Sequence, residues 1–258
     1  MGNALIGYTG FVGSTLLKQA SFDSLYRSTN INEIAGKEFD CIVCAGAPAQ
    51  KWLANKEPEQ DLEQIKTLIK HLSSCKTNMF ILISTVDVFG SPLGVYEDSE
   101  VVTDGLHPYG RHRLMLEEFV AKTFSRHLIV RLPGLVGPGL KKNIIFDFLN
   151  SNNIDSIESR NEFQFYPMVN LWPDIQKAVA AELNLIHLTA EPIQVQRVAE
   201  EGFGLDFVNE KPFDLIKYDM RTRFSDLYSS GESDYHYSER ETLMAIRAYA
   251  QSEPKLIV

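Results

Sequence analysis

The sequence predicts an α/β protein: an open, doubly wound parallel sheet with a small lobe after it. Three observations carry this. Short apolar β-type runs alternate with helical patterns through the first two-thirds of the chain. One run, Met79-Phe-Ile-Leu-Ile-Ser84, is apolar almost throughout, as a strand covered on both faces should be. A turn with three glycines joins the first strand to the first helix.

In order, Ala4–Tyr8 reads as the first strand, and Phe11 to Ala20 has helical spacing through Phe11, Leu16 and Leu17. A weak second strand lies at Ser24–Arg27. Phe39–Ala45 is the next strand, and Asp61–Leu72 a helix with Leu62, Ile65, Leu68, Ile69 and Leu72 apolar. The Met79–Ser84 strand precedes a helix from about Tyr109 to Phe124, then a strand at His127–Leu132 and a last one at Leu185–Thr189. Between Arg27 and Phe39 there is no room for a further strand and helix, so the sheet is trimmed on that side. After Pro133 the alternation fades. Residues 1–133 and 162–190 are therefore assigned to the sheet domain, and 134–161 and 191–258 to the lobe. Ser238-Glu-Arg-Glu241 is a capping box ahead of a helix reaching about Tyr249.

Composition narrows the class further. The chain has 258 residues, 44% hydrophobic, with 25 Lys+Arg against 34 Asp+Glu and a net charge of −9. Nucleic acid is not expected as a partner, because phosphate-backbone binding rests on clustered positive charge. No apolar run reaches the ~18–20 residues of a membrane span. The N-terminus lacks a signal-peptide pattern, and Ile6 stands where N-myristoylation wants Ser or Thr. The expectation is a cytoplasmic protein. Cys41 and Cys44 have C-x-x-C spacing, but in a strand they point to opposite faces and read as buried small hydrophobes. Cys75 stands apart from both, and the six histidines form no ligand-spaced group, so a metal-dependent hydrolase is disfavoured.

Gly7-Tyr-Thr-Gly10-Phe-Val-Gly13 sits where a strand ends and a helix begins. Glycine there permits a tight turn and close approach to a pyrophosphate, whose charge the helix N-terminus stabilises. This makes the domain Rossmann-like and the turn a dinucleotide site, with Gly7, Thr9, Gly10, Phe11, Val12 and Gly13 as candidate contacts. The ribose end is read at the tip of the second strand. Arg27 and Ser28 stand there instead of an acidic residue. A guanidinium suits a 2′-phosphate, so NADP is preferred over NAD.

Two further segments belong together: Ser84-Thr85-Val-Asp87-Val-Phe-Gly90 and Pro108-Tyr109-Gly-Arg-His-Arg113. Tyr109 and Arg113, four residues apart, share a helical face. With the glycine turn and Arg131-Leu-Pro133-Gly-Leu-Val-Gly-Pro138, they make the chain resemble the extended short-chain dehydrogenases/reductases, the NAD(P)-dependent nucleotide-sugar epimerases, dehydratases and reductases. The resemblance covers roughly residues 3–205. It implies Tyr109 as acid/base and Thr85 as hydroxyl partner, with Ser84 its competitor. Arg113 stands where relatives have lysine. Ala45, Gly46 and Pro133 would join Tyr109 and Arg113 around the cofactor, with Arg113 donating to the nicotinamide ribose. Arg113 can stabilise a phenolate but cannot relay a proton. Asp87, Asn143 and Arg221 are the substrate-side candidates, Asn143 and Arg221 as hydroxyl or diphosphate ligands. The order Thr-Val-Asp disfavours a dehydratase. The expectation is an oxidoreductase or epimerase acting on a nucleotide-linked sugar, as a homodimer. The alternative is a catalytically weak or inactive NAD(P)-binding protein of the same fold, serving as a sensor or as partner of another enzyme.

Overall fold

Six of the chain's short apolar runs pair into one parallel sheet: β1 (Asn3–Ile6), β2 (Ser24–Tyr26), β3 (Glu38–Cys44), β4 (Lys76–Thr85), β5 (His127–Leu132) and β6 (Leu185–His187), in the order β6-β5-β4-β3-β1-β2. The computed structural model describes residues 1–228 and 233–256, so the lobe positions 229–232 and 257–258 lie outside the described residues. After β2 the chain returns to the other side of β1, placing Leu5 opposite Leu25 on one flank and Val43 on the other. Such a reversal of strand order is where open α/β sheets bind ligands, at the strands' carboxyl ends. Only a 3₁₀ turn, Ile31–Ile34, separates β2 from β3, so the sheet ends at β2.

Helices α1 (Phe11–Gln19), α2 (Lys51–Lys56), α3 (Pro58–Leu72) and α4 (Pro108–Thr123) follow or precede these strands. Pro58 at the first position of α3 and Pro108 at that of α4 supply a preset φ where no N–H is needed. The six-residue α2 escapes sequence reading because it buries only Ala54. Ile65, Leu68 and Leu72 of α3 and Leu116 and Val120 of α4 join Ile42, Phe80 and Leu82 of the sheet in one core. Phe80 stacks on Phe124 with ring centres 4.3 Å apart. The thiols of Cys44 and Cys75 are buried and that of Cys41 is half-buried rather than buried, because β3 turns Cys41 away from the core. Burial pushes all three up to about 11, and all are free. Among the described residues no helix is long and apolar enough to cross a membrane.

The chain divides into two units. The first comprises Met1–Gly90, Ser99–Arg131 and Leu171–Ile186, which includes helix α6 (Leu171–Ala180) but not helix α5 (Ile144–Asn150). The second comprises Ser91–Asp98, Leu132–Asn170 and the chain from His187. It thus takes in four stretches, 91–98, 132–133, 162–170 and 187–190, that sequence reading leaves with the sheet. The reasons are polar. Glu97 accepts hydrogen bonds from the His187 N–H (2.8 Å) and the Thr222 hydroxyl (2.7 Å), and Leu93–Val95 pairs with Asp219–Met220. Gln164, fully buried, donates to the Ala190 and Met220 carbonyls (2.6 and 2.8 Å) and accepts from the Met220 N–H (2.7 Å). The capping box forms as read: Ser238 and Glu241 exchange hydrogen bonds at the start of α7 (Glu239–Ser252).

Gln164 binds two other segments of this unit, at 189–190 and at 220, through groups that have no water to turn to. Gln164→Leu should lower stability by about 3 kcal/mol, because it strands several buried polar atoms. Ser238→Ala, at a solvated cap, should lower it by about 1 kcal/mol. Urea unfolding midpoints of the two variants check the ordering.

Candidate active site

The glycine turn closes on backbone contacts that admit no side chain. Gly7 has φ +84°, and a Cβ there would lie 2.3 Å from the Ala45 carbonyl oxygen; one on Gly13 would lie 2.1 Å from that of Gly7. The ends of β1 and β3 and the first turn of α1 are thereby pressed together. Gly10 differs. Its φ is −77°, and a Cβ would meet only the Gly7 oxygen, at 3.4 Å. Nothing inside the protein requires glycine at that exposed position. It opens α1, whose first N–H groups have no intrahelical acceptor and no side-chain cap. Thr9 is exposed beside it, and Phe11 and Val12 are half-buried. The Gly7 N–H donates to the Tyr26 carbonyl (2.8 Å), which ties the tip of β2 to the turn. Arg27 and Ser28 follow, both exposed; Arg27 donates through Nε to Thr29 (2.9 Å).

The loop leaving β3 links this turn to α4. Ala45 lies against Gly7, Gly46 follows it, and the Pro48 carbonyl accepts from the Arg113 guanidinium. Arg113, only 3% exposed, binds both oxygens of Asp61 on α3 and also donates to the Tyr109 carbonyl (3.4 Å). Its guanidinium carbon sits 4.0 Å from the centre of the Tyr109 ring, stacked on the ring face. His112 Nδ1 lies 2.7 Å from the same Asp61 carboxylate. Tyr109 is buried, and its N–H donates to Asn55 Oδ1 (3.0 Å). Thr85 Oγ1 accepts from the Asp87 N–H (3.1 Å) and donates to Asp87 Oδ2 (3.4 Å). Asp87 Oδ1 in turn takes the Lys51 ammonium of α2 at 2.6 Å.

Burial pushes the Tyr109 phenol up; the Arg113 charge opposes this, Asp87 adds to it, and Lys51 and Thr85 oppose it again. The net shift is upward, so the phenol keeps its proton at neutral pH. For Asp61, burial also pushes upward, but the hydrogen bonds and charges of Arg113 and His112 outweigh it and hold the carboxyl below the usual range. His107 is pushed down by burial and by the Lys51 charge. Its Nδ1 accepts the Gly110 N–H (3.0 Å) and caps α4, a role for the neutral ring.

Thr85, Tyr109, Arg113 and Asp87 thus come together as the sequence suggests, with three corrections in the details. Ser84 does not compete with Thr85: strand alternation turns it the other way, where its hydroxyl donates to Glu117, itself paired with Arg131 (2.7 Å). Arg113 has its terminal donors committed to Asp61 and to the Pro48 and Tyr109 carbonyls. Its Nε has no partner among the described residues but is buried, so in this arrangement no donor reaches out toward a ribose. In the second unit, two candidates are occupied. Asn143, at φ +78°, caps α5 by accepting the Ile145 N–H (2.9 Å) and donates to the Leu135 carbonyl (2.9 Å). Arg221 is held by Asp219 (2.8 Å) and Asp234 (3.3 Å), so its charge is already compensated. Pro133 is buried just after β5.

Sequence reading misses Lys51, Asn55, Asp61 and His112. Asp61 has a visible signal, since positions 61, 65, 68 and 72 form one buried helical stripe, and a carboxylate on it demands a partner.

No protein-family model matches the chain, and no curated protein sequence matches it. Solved structures do share its fold. A dTDP-4-dehydrorhamnose reductase from Yersinia enterocolitica is 18% identical over 96% of this chain and 98% of that one, with TM-score 0.68. A UDP-galactose 4-epimerase is 16% identical over 96% and 97%, with TM-score 0.72. MoeE5, solved with UDP-glucuronic acid and NAD, is 14% identical over 97% and 99%, with TM-score 0.73. The fold is the Rossmann-like one that these solved structures share.

Asp61→Asn would leave Arg113 buried without its counter-charge and should lower stability by about 3–5 kcal/mol at neutral pH. Because the folded Asp61 carboxyl titrates below its unfolded value, its contribution is present above about pH 4 and is lost as pH falls through the folded value. The gap between wild type and variant in urea unfolding should therefore narrow below about pH 4.

Proposed function

We propose that the chain binds NADP, or else NAD, and catalyses hydride transfer at a nucleotide-linked sugar as a reductase or epimerase. The observation that carries this is the buried Tyr109 phenol beneath the Arg113 guanidinium, which joins α4 to the glycine turn through the loop at 45–48. The residues fit a dinucleotide. Gly10 lacks a side chain for no internal reason and exposes the N-terminus of α1, where a pyrophosphate is favoured. The exposed Arg27 at the tip of β2 supports the NADP reading, since a guanidinium pairs with a 2′-phosphate. That similar folds are solved with NAD, and with UDP-glucuronic acid, adds support for both classes of ligand.

When bound, the nicotinamide supplies or accepts the hydride. Tyr109 moves the proton at the sugar oxygen, with Thr85 as its hydroxyl partner. A phenol held protonated is suited to act first as an acid, giving its proton to the oxygen of a reduced carbonyl. Arg113, stacked on the ring, stabilises the phenolate that remains. A cytoplasmic homodimer goes with this proposal.

A protein that binds cofactor without turnover is the second reading, favoured by one observation: the cation at the lysine position is immobilised by Asp61. Hydride transfer from labelled NADPH to a panel of nucleotide sugars separates the two. Wild type should transfer label, and Tyr109→Phe should lose at least 10²-fold in rate while still binding cofactor. Arg27→Ala should weaken NADPH at least 10-fold more than NADH, given a bidentate phosphate contact. Cofactor binding without transfer, with activity appearing in Arg113→Lys, would sink the enzymatic reading.

A further inference from the structure

Helix α2 is tied to the Tyr109 cluster at both of its ends. Lys51 binds Asp87 (2.6 Å), and Asn55 accepts the Tyr109 N–H (3.0 Å). Ala54 is buried between them. Trp52 has no such duty. It is 66% exposed, and its ring makes no hydrogen bond and no ring contact among the described residues. The other tryptophan, Trp172, is half-buried, with its ring edge-on to Phe22 (5.9 Å). Among the described residues of the first unit, Trp52 is the only Phe, Tyr or Trp that is exposed. An indole left in water forgoes a large apolar burial, so its place on the helix carries information. At ~100° per residue, Trp52 sits about 60° round α2 from Asn55, on the flank beside the groups that hold Tyr109 and Asp87.

On the reading of this site as one for a nucleotide-linked sugar, we infer that Trp52 is its sugar platform: the indole face stacks on the C–H face of the hexose ring, and the Lys51–Asp87 pair beside it takes ring hydroxyls. A hexose presents two kinds of surface, a rim of hydroxyls and faces from which C–H bonds project. The negative face of an indole attracts those positively polarised C–H groups, while a carboxylate and an ammonium together offer an acceptor and donors to the rim. Both charged side chains stay partly open, Asp87 at 16% and Lys51 at 38%. Asn143 and Arg221, the other substrate-side candidates, are engaged by their own neighbours. The sugar, rather than the base, is the occupant, because the reacting sugar carbon is the part of the ligand that Tyr109 must meet. The devices that suit the cofactor's phosphates, the glycine turn and the tip of β2, lie on other elements. Trp52 touches no reacting atom; it determines specificity, favouring sugars with an unbroken C–H face. Only side chains of the short α2 take part.

Fluorescence tests this directly, because the chain has two tryptophans and Trp172→Phe leaves Trp52 as the only emitter. In that variant, loaded with NADP, UDP- and dTDP-linked glucose, galactose and N-acetylglucosamine are titrated, with UDP and dTDP alone as controls; binding is followed separately by calorimetry. At least one nucleotide sugar should shift Trp52 emission to the blue and cut its quenching by acrylamide at least 3-fold, and UDP or dTDP alone should do neither. Trp52→Ala should raise KM for that sugar about 10-fold with kcat within 2-fold, the mark of lost uniform binding, and NADPH affinity should hold. Trp52→Phe should recover most of the loss. Protection by UDP or dTDP alone would assign the indole to the base, and protection by NADP alone to the cofactor; either overturns the sugar platform. So does Trp52 emission that ignores a nucleotide sugar whose binding calorimetry records, an outcome that leaves the proposed function standing. If calorimetry records no binding of any of the six sugars, the proposed function falls, and the platform with it.

Discussion

The site depends on the buried ion pair between Arg113 and Asp61. Both side chains are almost wholly withdrawn from water, so neither charge is tolerable alone. The planar guanidinium satisfies Asp61 with two donors, reaches Pro48 with one of the same nitrogens, and lays its face on Tyr109. One side chain thereby fixes α3, α4 and the loop leaving β3 against each other. That loop also presses on Gly7, so the geometry of the dinucleotide turn and of the tyrosine are coupled through it. An ammonium carries no plane to stack and no paired donors for a carboxylate. The arginine and Asp61 are thus a matched replacement, and neither makes sense without the other. Such a pair adds little net stability, and its value is geometric.

A second buried pair steadies the same helix from the sheet side. Glu117 of α4 accepts from Arg131 of β5 and from Ser84 of β4. With Asp61 on one side and Glu117 on the other, α4 cannot rotate without breaking a buried charge. Adjacent strand residues then take different duties: Ser84 holds the helix, and Thr85 holds the turn at Asp87. The local sequence Ser-Thr offers two hydroxyls, and the pleat decides between them.

Much of this was legible in the chain itself. The strand runs, the glycine turn and the four-residue spacing of Tyr109 and Arg113 are local patterns set by backbone geometry, and each lies where the pattern places it. The helix 51–56 was not, since a single buried alanine leaves no periodicity to read. Nor were the polar partners. Arg221 and Asn143 look like ligand residues in sequence, but Asp219, Asp234 and the α5 cap claim them in three dimensions. Gln164 looks unremarkable in sequence and proves to tie its unit together. A polar side chain advertises its donors, and only tertiary structure shows what accepts them.

The net charge of −9 bears on how such a protein would hold an anionic ligand. Its overall field repels phosphates, so binding has to come from short-range devices that outweigh the field at contact distance. The first N–H groups of α1 are one, and Arg27 is another. Arg113 is not available for this, because its terminal donors are committed to Asp61 and to the Pro48 and Tyr109 carbonyls. Burial, against the pull of the Arg113 charge, leaves the phenol protonated in the ligand-free protein. A site in which the built-in cation is already paired, and the acid still holds its proton, is arranged to give a proton before it takes one. For the function proposed, that favours carbonyl reduction as the direction of chemistry.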